Sequence, residues 1–262
     1  MHRGFSCVLA AAAVVVAGCG GGGSSDVLAQ TADNLSKIRS GTLSMRLLVT
    51  PKSGSPFGFQ LKGPFSLGTA SSLPVLRVAY TQIAKGNRAT VTVVSTGSSA
   101  YVQAAGRTVQ LTDAQAETLR AANEQLSGGG GLGSLGIDDW FEDAKRSDGG
   151  EVGGAETDKV SAQLNVVNAA NGLISLLRRG GRDLPTIHGD QAEKLDDAVK
   201  SSKIEVYSGK QDHLLRRLSI DVDFGLDVPK TLRATLGDVV GARVEFELGV
   251  DRPNRPVHVS AP

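Results

Sequence analysis

The sequence is poor in the residue types that usually build cross-links and metal sites. It contains two cysteines, Cys7 and Cys19, both near the amino terminus, and aromatic residues make up only 4% of the chain. Without a later cysteine, the remainder of the chain cannot form a disulfide. Its last three histidines, His188, His213 and His258, are far apart and lack neighbouring ligands at metal-binding spacing. We therefore expect neither a metal site nor a disulfide.

The chain also lacks an excess of charge of one sign. Lys plus Arg number 28 against 27 Asp plus Glu, so the formal net charge is +1. Proteins that bind nucleic acids neutralise phosphates with clustered Lys and Arg, and the sequence has no basic stripe of that kind. The composition argues against a nucleic-acid partner.

Catalytic motifs are missing or out of context. There is no G-x-S-x-G elbow, and no cysteine beyond Cys19 could act as a nucleophile. Residues 131–136 match G-x-G-x-x-G, but they follow a helical pattern and a glycine run, whereas a dinucleotide site needs a preceding strand. The acid pairs Asp196/Asp197 and Asp221/Asp223 have the pattern of solvated helix and strand faces. We expect a non-enzymatic protein with no catalytic residues and no cofactor, although the sequence alone leaves an acid/base dyad open.

The first nineteen residues carry the strongest motif in the sequence. A basic start at His2 and Arg3 precedes an apolar run from Val8 to Ala17, followed by Gly18 and Cys19. The run is too short to cross a hydrocarbon core, which needs about 20 helical residues, so it is typical of an export signal. The ending Val-Ala-Gly-Cys resembles the bacterial lipobox.

In lipobox proteins the cysteine becomes the new amino terminus and carries acyl chains such as palmitate. The resemblance implies a signal peptide over residues 1–18, a lipidated Cys19 with a Gly/Ser tether over 19–26, and a folded domain over 27–262. Two or three acyl chains hold a protein on a bilayer almost permanently. We therefore expect an anchor on the extracytoplasmic face of the cell membrane. The alternative is an ordinary cleavage site with an incidental cysteine.

Apolar periodicity predicts a mixed α+β domain. Helical spacing over residues 27–39 is followed by alternating apolar residues in five short segments between 43 and 104, which predicts an antiparallel meander. Helical patterns return over 111–126, around Trp140, Phe141 and Ala144, over 170–177 and over 190–200. Alternation resumes from 160 to 166, from 204 to 224 and from 244 to 250. The simplest architecture is one large sheet of about eight to ten strands, apolar on one face and covered there by the helices.

The order of these elements resembles the LolA/LppX-like periplasmic lipoprotein superfamily. Residues 204–223, with the sequence D-H-L-L-R-R-L leading into a long strand, carry most of the resemblance. Leu35–Leu48 resembles the family's entry helix and first strand, and Thr157–Val166 resembles the strand before its crossover helix. The glycine run at 128–131 and the segment 182–200 depart from the family pattern, which puts the cover over any cavity in doubt.

The resemblance implies a single curved antiparallel sheet, a half-barrel, with helices packed on its concave apolar face. A cavity between sheet and helices would bind or shuttle an acyl lipid or the acyl chains of a lipoprotein. Binding would rest on apolar area and shape. The candidate cavity residues are Met45, Leu47, Phe59, Val78, Tyr80, Val93, Leu164, Ile220, Val222, Phe246 and Leu248.

Alternating apolar residues are equally typical of a closed core. In that case the chain would be a structural or sensory envelope lipoprotein that contacts a protein partner through edge strands or loops. An open cavity lined by the predicted residues favours the carrier, whereas a core packed to native density favours the scaffold.

Overall fold

The computed structural model describes residues 23–69, 71–127, 137–179, 185–225 and 241–262. The predicted signal peptide and Cys19 therefore lie outside the described residues. Within the described ranges, none of the helices combines the length and apolar character needed to cross a membrane.

The first helix, α1, spans Ser24–Asn34 and begins three residues before the predicted start. Asp26 accepts a hydrogen bond of 3.0 Å from the Gly23 amide, which satisfies a donor left free at the helix start. A short 3-10 helix, Leu35–Lys37, follows directly. Residues 24–26, which the sequence suggested as the end of a tether, belong to α1.

The meander consists of six strands: β1 (Ser40–Pro51), β2 (Phe57–Ser66), β3 (Val75–Ala84), β4 (Asn87–Thr96), β5 (Ala100–Ala104) and β6 (Arg107–Gln110). The first five correspond to the predicted alternating segments, and β6 was not predicted. Two of the hairpins close in two residues. Lys85 and Gly86 have φ values of 50° and 78°, and Ala105 and Gly106 have 48° and 76°. Positive φ at both positions is typical of type I′ turns, whose twist matches that of the flanking strands.

Five further strands complete the sheet: β7 (Phe141–Val152), β8 (Ala155–Leu164), β9 (Val199–Gly209), β10 (Leu215–Phe224) and β11 (Ala242–Asp251). The spatial order is β6-β5-β4-β3-β2-β1-β11-β10-β9-β8-β7, with antiparallel pairing throughout. The last strand thus returns to pair with the first. The predicted fold class is confirmed, with eleven strands in place of eight to ten.

The predicted helix around Trp140, Phe141 and Ala144 was wrong. Trp140 ends a 3-10 helix, Ile137–Trp140, and Phe141 begins the edge strand β7. The register of β7 against β8 shifts between Glu142 and Lys145, and Asp143 within this irregularity has a φ of 54°. Such a bulge changes which residues share a face, so Phe141 and Ala144 both pack against the core despite their spacing of three. Apolar residues three apart imitate a helical pattern.

Three more helices cross or flank the sheet: α2 (Asp113–Ser127), α3 (Val166–Arg179) and α4 (Asp190–Ala198). Val166 was predicted to end a strand but begins α3. The Asn165 side chain accepts a hydrogen bond of 2.9 Å from the Asn168 amide, the geometry of a helix cap, so the chain turns from strand to helix at this residue.

The main core lies where α1, α3 and α4 pack on β8 to β11. Val160, Ile204 and Val206 have no exposed surface, and Trp140 retains 2%. A polar contact is buried in the same layer: the Thr31 hydroxyl of α1 donates to the Val27 carbonyl at 2.6 Å and lies 2.7 Å from the Ser208 hydroxyl of β9. Because buried hydroxyls need partners, this contact fixes where α1 crosses the sheet.

Helix α2 makes a separate, smaller contact with the meander. Its Ala116 packs with Leu73 and Ala100 in a cluster distinct from the main core. The buried Asn123 side chain donates hydrogen bonds of 3.0 and 3.1 Å to the Thr69 and Ser72 carbonyls, just before β3. Among the described helices, cover is therefore extensive over β8 to β11 and limited over β2 to β6.

Candidate ligand-binding groove

All eleven predicted cavity residues lie on one face of the sheet. The pairing register establishes this, because residues directly opposite each other in neighbouring strands share a face. Leu47 lies opposite Phe59 in β2 and Phe246 in β11, and Val78 lies opposite Val93 in β4. The period-two alternation therefore identified the inward face correctly.

Three of the eleven residues pack the main core instead of lining an open space. Leu164, Ile220 and Val222 are 4%, 8% and 3% exposed. They lie beneath the helices that cover β8 to β10. The apolar alternation along the strands could not separate them from the other candidates, because strand residues that face a helix and those that face a cavity are equally apolar.

Met45, Val78 and Leu248 line a groove of about 290 Å³ at the boundary between the covered and uncovered halves of the sheet. Eleven of the twelve lining residues are apolar, and Ser36 is the exception. Beyond the three predicted residues, the lining consists of Leu35, Ser36, Ile38, Leu43, Phe65, Leu67, Leu76, Leu126 and Val250.

Several of the additional lining residues come from elements whose position the sequence could not supply. Leu35 and Ile38 come from the 3-10 turn and its exit, and Leu126 comes from the last turn of α2 with half of its side chain exposed. Leu43 and Val250 continue the alternation of β1 and β11, so extending the inward face by one pair would have identified them.

Arg39 connects the groove walls. Its guanidinium donates hydrogen bonds of 3.0 Å to the Ser127 carbonyl at the end of α2 and 3.1 Å to the Gly68 carbonyl after β2. A cation at a helix carboxyl terminus is favourable because it faces the negative end of the helix dipole. Arg39 thereby holds the end of α2, with Leu126, beside the sheet.

The apolar face continues beyond the groove toward β6. The Phe59 and Tyr80 rings stack at 6.1 Å between centroids, with 26° between their planes, and Tyr80 is 39% exposed. Val109 on the edge strand β6 is 63% exposed. Leu47, Val93 and Phe246 lie on the same face and are half-buried. Within the described part of the chain, this surface is only partly covered.

The opposite face of the sheet is charged. Glu205 lies 2.8 Å from the Lys159 ammonium and 2.7 Å from that of Lys203. Partial burial would raise the pKa of Glu205, but the hydrogen bonds from the two lysines outweigh it and hold this pKa below its usual value. Asp221 pairs with Arg243, as expected for a solvated strand face. In the described ranges, no three His, Cys, Asp or Glu side chains gather as a metal site would require.

The groove can therefore bind a ligand by apolar contact. Its lining offers many carbon atoms and one side-chain hydroxyl, which itself donates to the Asp33 carbonyl at 3.3 Å. Apolar area removed from water contributes about 25 cal/mol per Å², without directional demands. Such a surface selects ligands by their hydrophobicity and shape.

No family model matches the chain, and no curated protein matches it. Among solved structures, LprF from Mycobacterium bovis is similar over 91% of this chain and 96% of its own, at 12% identity and a TM-score of 0.43. A LolA superfamily protein from Nitrosomonas europaea is similar over 90% of this chain and 96% of its own, at 7% identity and a TM-score of 0.22.

Proposed function

We propose that this chain is a membrane-anchored envelope lipoprotein that binds a hydrophobic ligand, an acyl lipid or the acyl chains of a lipoprotein, without catalysis. The anchor would be the acylated Cys19, and the ligand would lie in the groove between β1 to β3, β11 and the ends of α1 and α2. Carriage between membranes is the purpose that such binding serves.

The observation that carries the proposal is the groove itself. Its volume of about 290 Å³ is just below the range of about 300–1,000 Å³ typical of small-molecule sites. The half-buried apolar face of β2 to β6 extends the same surface. An acyl chain needs such a surface, because each methylene moved out of water contributes about 0.8 kcal/mol.

A second function uses the same face differently. The exposed Val109 lies on β6, which has a neighbour on one side only among the described strands, and the backbone groups of such edges can pair with another chain. An envelope protein partner would then cover the apolar face, and the chain would act as a scaffold or sensor.

The two functions are separated by ligand uptake. Every described core contact lies within residues 23–262, so a chain that begins at Gly20 retains all of them and needs no detergent. We expect this chain to take up a fluorescent hexadecanoic acid probe and to release bound lipid in native mass spectrometry. A lipid-free mass together with no uptake of the probe would support the scaffold.

A bulky substitution in the groove tests the location of the ligand. Val78→Trp should reduce probe affinity about tenfold or more, because the indole would occupy space that the ligand needs. The control is Thr90→Trp, which adds the same ring to an exposed position on the opposite face. If both variants bind the probe as well as the parent chain, the ligand does not occupy the groove.

The anchor has its own test. Mass analysis of the amino-terminal peptide from membranes should show acyl chains on Cys19, and Cys19→Ser in the full chain should release the protein from the membrane fraction. A full-length, unacylated amino terminus would contradict the anchor without affecting the ligand site.

A further inference from the structure

Charge is distributed very unevenly along the sequence. From residue 34 to residue 112 there are nine Lys and Arg and not one Asp or Glu. This stretch contains all six strands of the meander. All 27 acidic residues lie outside it, so the near-zero net charge of the whole chain hides a strongly cationic half-sheet.

Four of these cations gather at one end of the sheet. The β1-β2, β3-β4 and β5-β6 connections all lie at the same end, because the strands are antiparallel and consecutive. Lys52 follows β1, Lys85 and Arg88 belong to the β3-β4 hairpin, and Arg107 begins β6. All four residues are exposed. We call these four residues the cationic rim.

Among the described residues, no carboxylate forms an ion pair with a rim cation. Across the described residues, none of the four has a carboxylate within 4.0 Å, whereas Lys159, Lys210, Arg216 and Arg243 of the other half-sheet all do. The neighbouring Lys200 ammonium, at the start of β9, lowers the pKa of Lys52, and the charge of Asp223 partly opposes this. Exposed like charges at one end of the sheet, with no ion-paired carboxylate among the described residues, favour binding of an anion.

Apolar surface lies beside the rim. Tyr80, 39% exposed, stacks with Phe59 on the inward face of β2 and β3. Aromatic rings next to cations are typical of surfaces that sit at the headgroup level of a membrane, where the rings enter the interface and the cations meet phosphates.

The orientation of α1 agrees with such a contact. The Ser24 hydroxyl at the start of α1 donates to the Ala144 carbonyl at 3.1 Å, and Ala144 is close to the start of β7. Strand β7 begins at the same end of the sheet as the rim, as the alternating strand directions require. A tether from Cys19 would therefore leave the domain from its rim end, a step that rests on the proposed anchor.

We propose that the cationic rim docks on the phosphodiester headgroups of an anionic bilayer, with the Phe59–Tyr80 pair facing the interface. Docking would place the open apolar face of β2 to β6 next to the lipid from which a ligand is taken or to which it is delivered.

The experiment measures binding of the chain that begins at Gly20 to vesicles by co-sedimentation. It should bind vesicles that contain phosphatidylglycerol much more strongly than vesicles of phosphatidylcholine alone, and salt should weaken the binding because it screens exposed charges. The rim variant Lys85→Glu/Arg88→Glu/Arg107→Glu should lose affinity for the anionic vesicles about tenfold or more.

The matched control is Lys37→Glu/Arg252→Glu/Arg255→Glu. It makes the same change in net charge at three exposed positions at the opposite end of the sheet, so it should bind within about twofold of the parent chain. Circular dichroism of both variants confirms that they fold. A rim variant that binds like the parent, or a control that loses as much as the rim variant, would overturn the proposal.

Two further outcomes distinguish docking on a bilayer from binding of an acidic protein and from the proposed ligand-binding function. If the parent chain ignores anionic vesicles at low salt but is retained on polyglutamate, the rim serves an acidic protein and the proposal is wrong. Uptake of the hexadecanoic acid probe by the rim variant is measured in parallel. Normal uptake without rim-dependent docking overturns the docking surface alone, whereas docking without uptake overturns the proposed function alone.

Discussion

Met45 in β1 lies directly opposite Leu248 in β11, and both side chains line the groove, yet Leu248 is only 2% exposed while Met45 is half-buried. One pair of opposed residues therefore marks the boundary between the packed core and the accessible groove. Leu248 contacts the core on one side, and Met45 has open space beside it.

Truncation of this pair should have unequal effects on stability. Leu248→Ala removes a buried side chain and leaves a cavity, so it should lower the free energy of unfolding by about 2–5 kcal/mol. Met45→Ala removes a half-buried side chain next to existing space and should cost about 1 kcal/mol. Urea unfolding of the chain that begins at Gly20 measures both. Equal losses would mean that the groove is filled in solution.

Removal of the Arg39 side chain should loosen α2. Arg39→Ala deletes the hydrogen bonds to the Ser127 and Gly68 carbonyls, so we expect faster amide hydrogen exchange in the last turns of α2 and a loss of about 1–2 kcal/mol in stability. The control is Arg46→Ala, an exposed cation on the outward side of β1. Weaker probe binding by Arg39→Ala alone would show that α2 forms a wall of the groove. Unchanged exchange in α2 would contradict this role of Arg39.

The Asp212–Arg216 pair should make stability depend on pH. The Arg216 side chain is 5% exposed, and its guanidinium donates to Asp212 at 2.6 Å. Burial of Asp212 favours a higher pKa, but the hydrogen bond and positive charge of Arg216, together with backbone hydrogen bonds such as that from the Leu214 amide, outweigh it and hold the pKa of Asp212 below its ordinary value. Stability from this pair is therefore complete above about pH 4 and is lost as the pH falls through the lowered pKa.

Asp212→Asn should cost about 1 kcal/mol at neutral pH, an amount limited by the partial exposure of Asp212. Its difference from the parent chain should shrink as the pH is lowered toward 2 in urea titrations. Asp221→Asn is the control, because its partner Arg243 is exposed and the pair is screened by solvent. A cost for Asp212→Asn that stays constant with pH would contradict the linkage.

Local patterns predicted much of the fold. The period-two alternation placed Met45, Val78 and Leu248 on one face, and alternation over five short segments predicted the meander. The bulge near Asp143 made the prediction of a helix at Phe141 and Ala144 wrong, because a register shift places residues three apart on one face. The helix cap at Asn165 cannot be recognised from apolar periodicity. Val166 was therefore predicted to end a strand, although it begins α3.

The sequence by itself determined which side chains face inward, because backbone geometry alone alternates them along a strand, and it determined that the meander has no acidic residue. Only the tertiary structure decided which inward residues are core and which line the groove. That division depends on β11 returning to β1 and on α1, α3 and α4 covering one half of the sheet, while α2 only touches the other. The same apolar residue is buried under a helix or left beside open space according to contacts between elements far apart in the chain, and these contacts leave no mark on local periodicity.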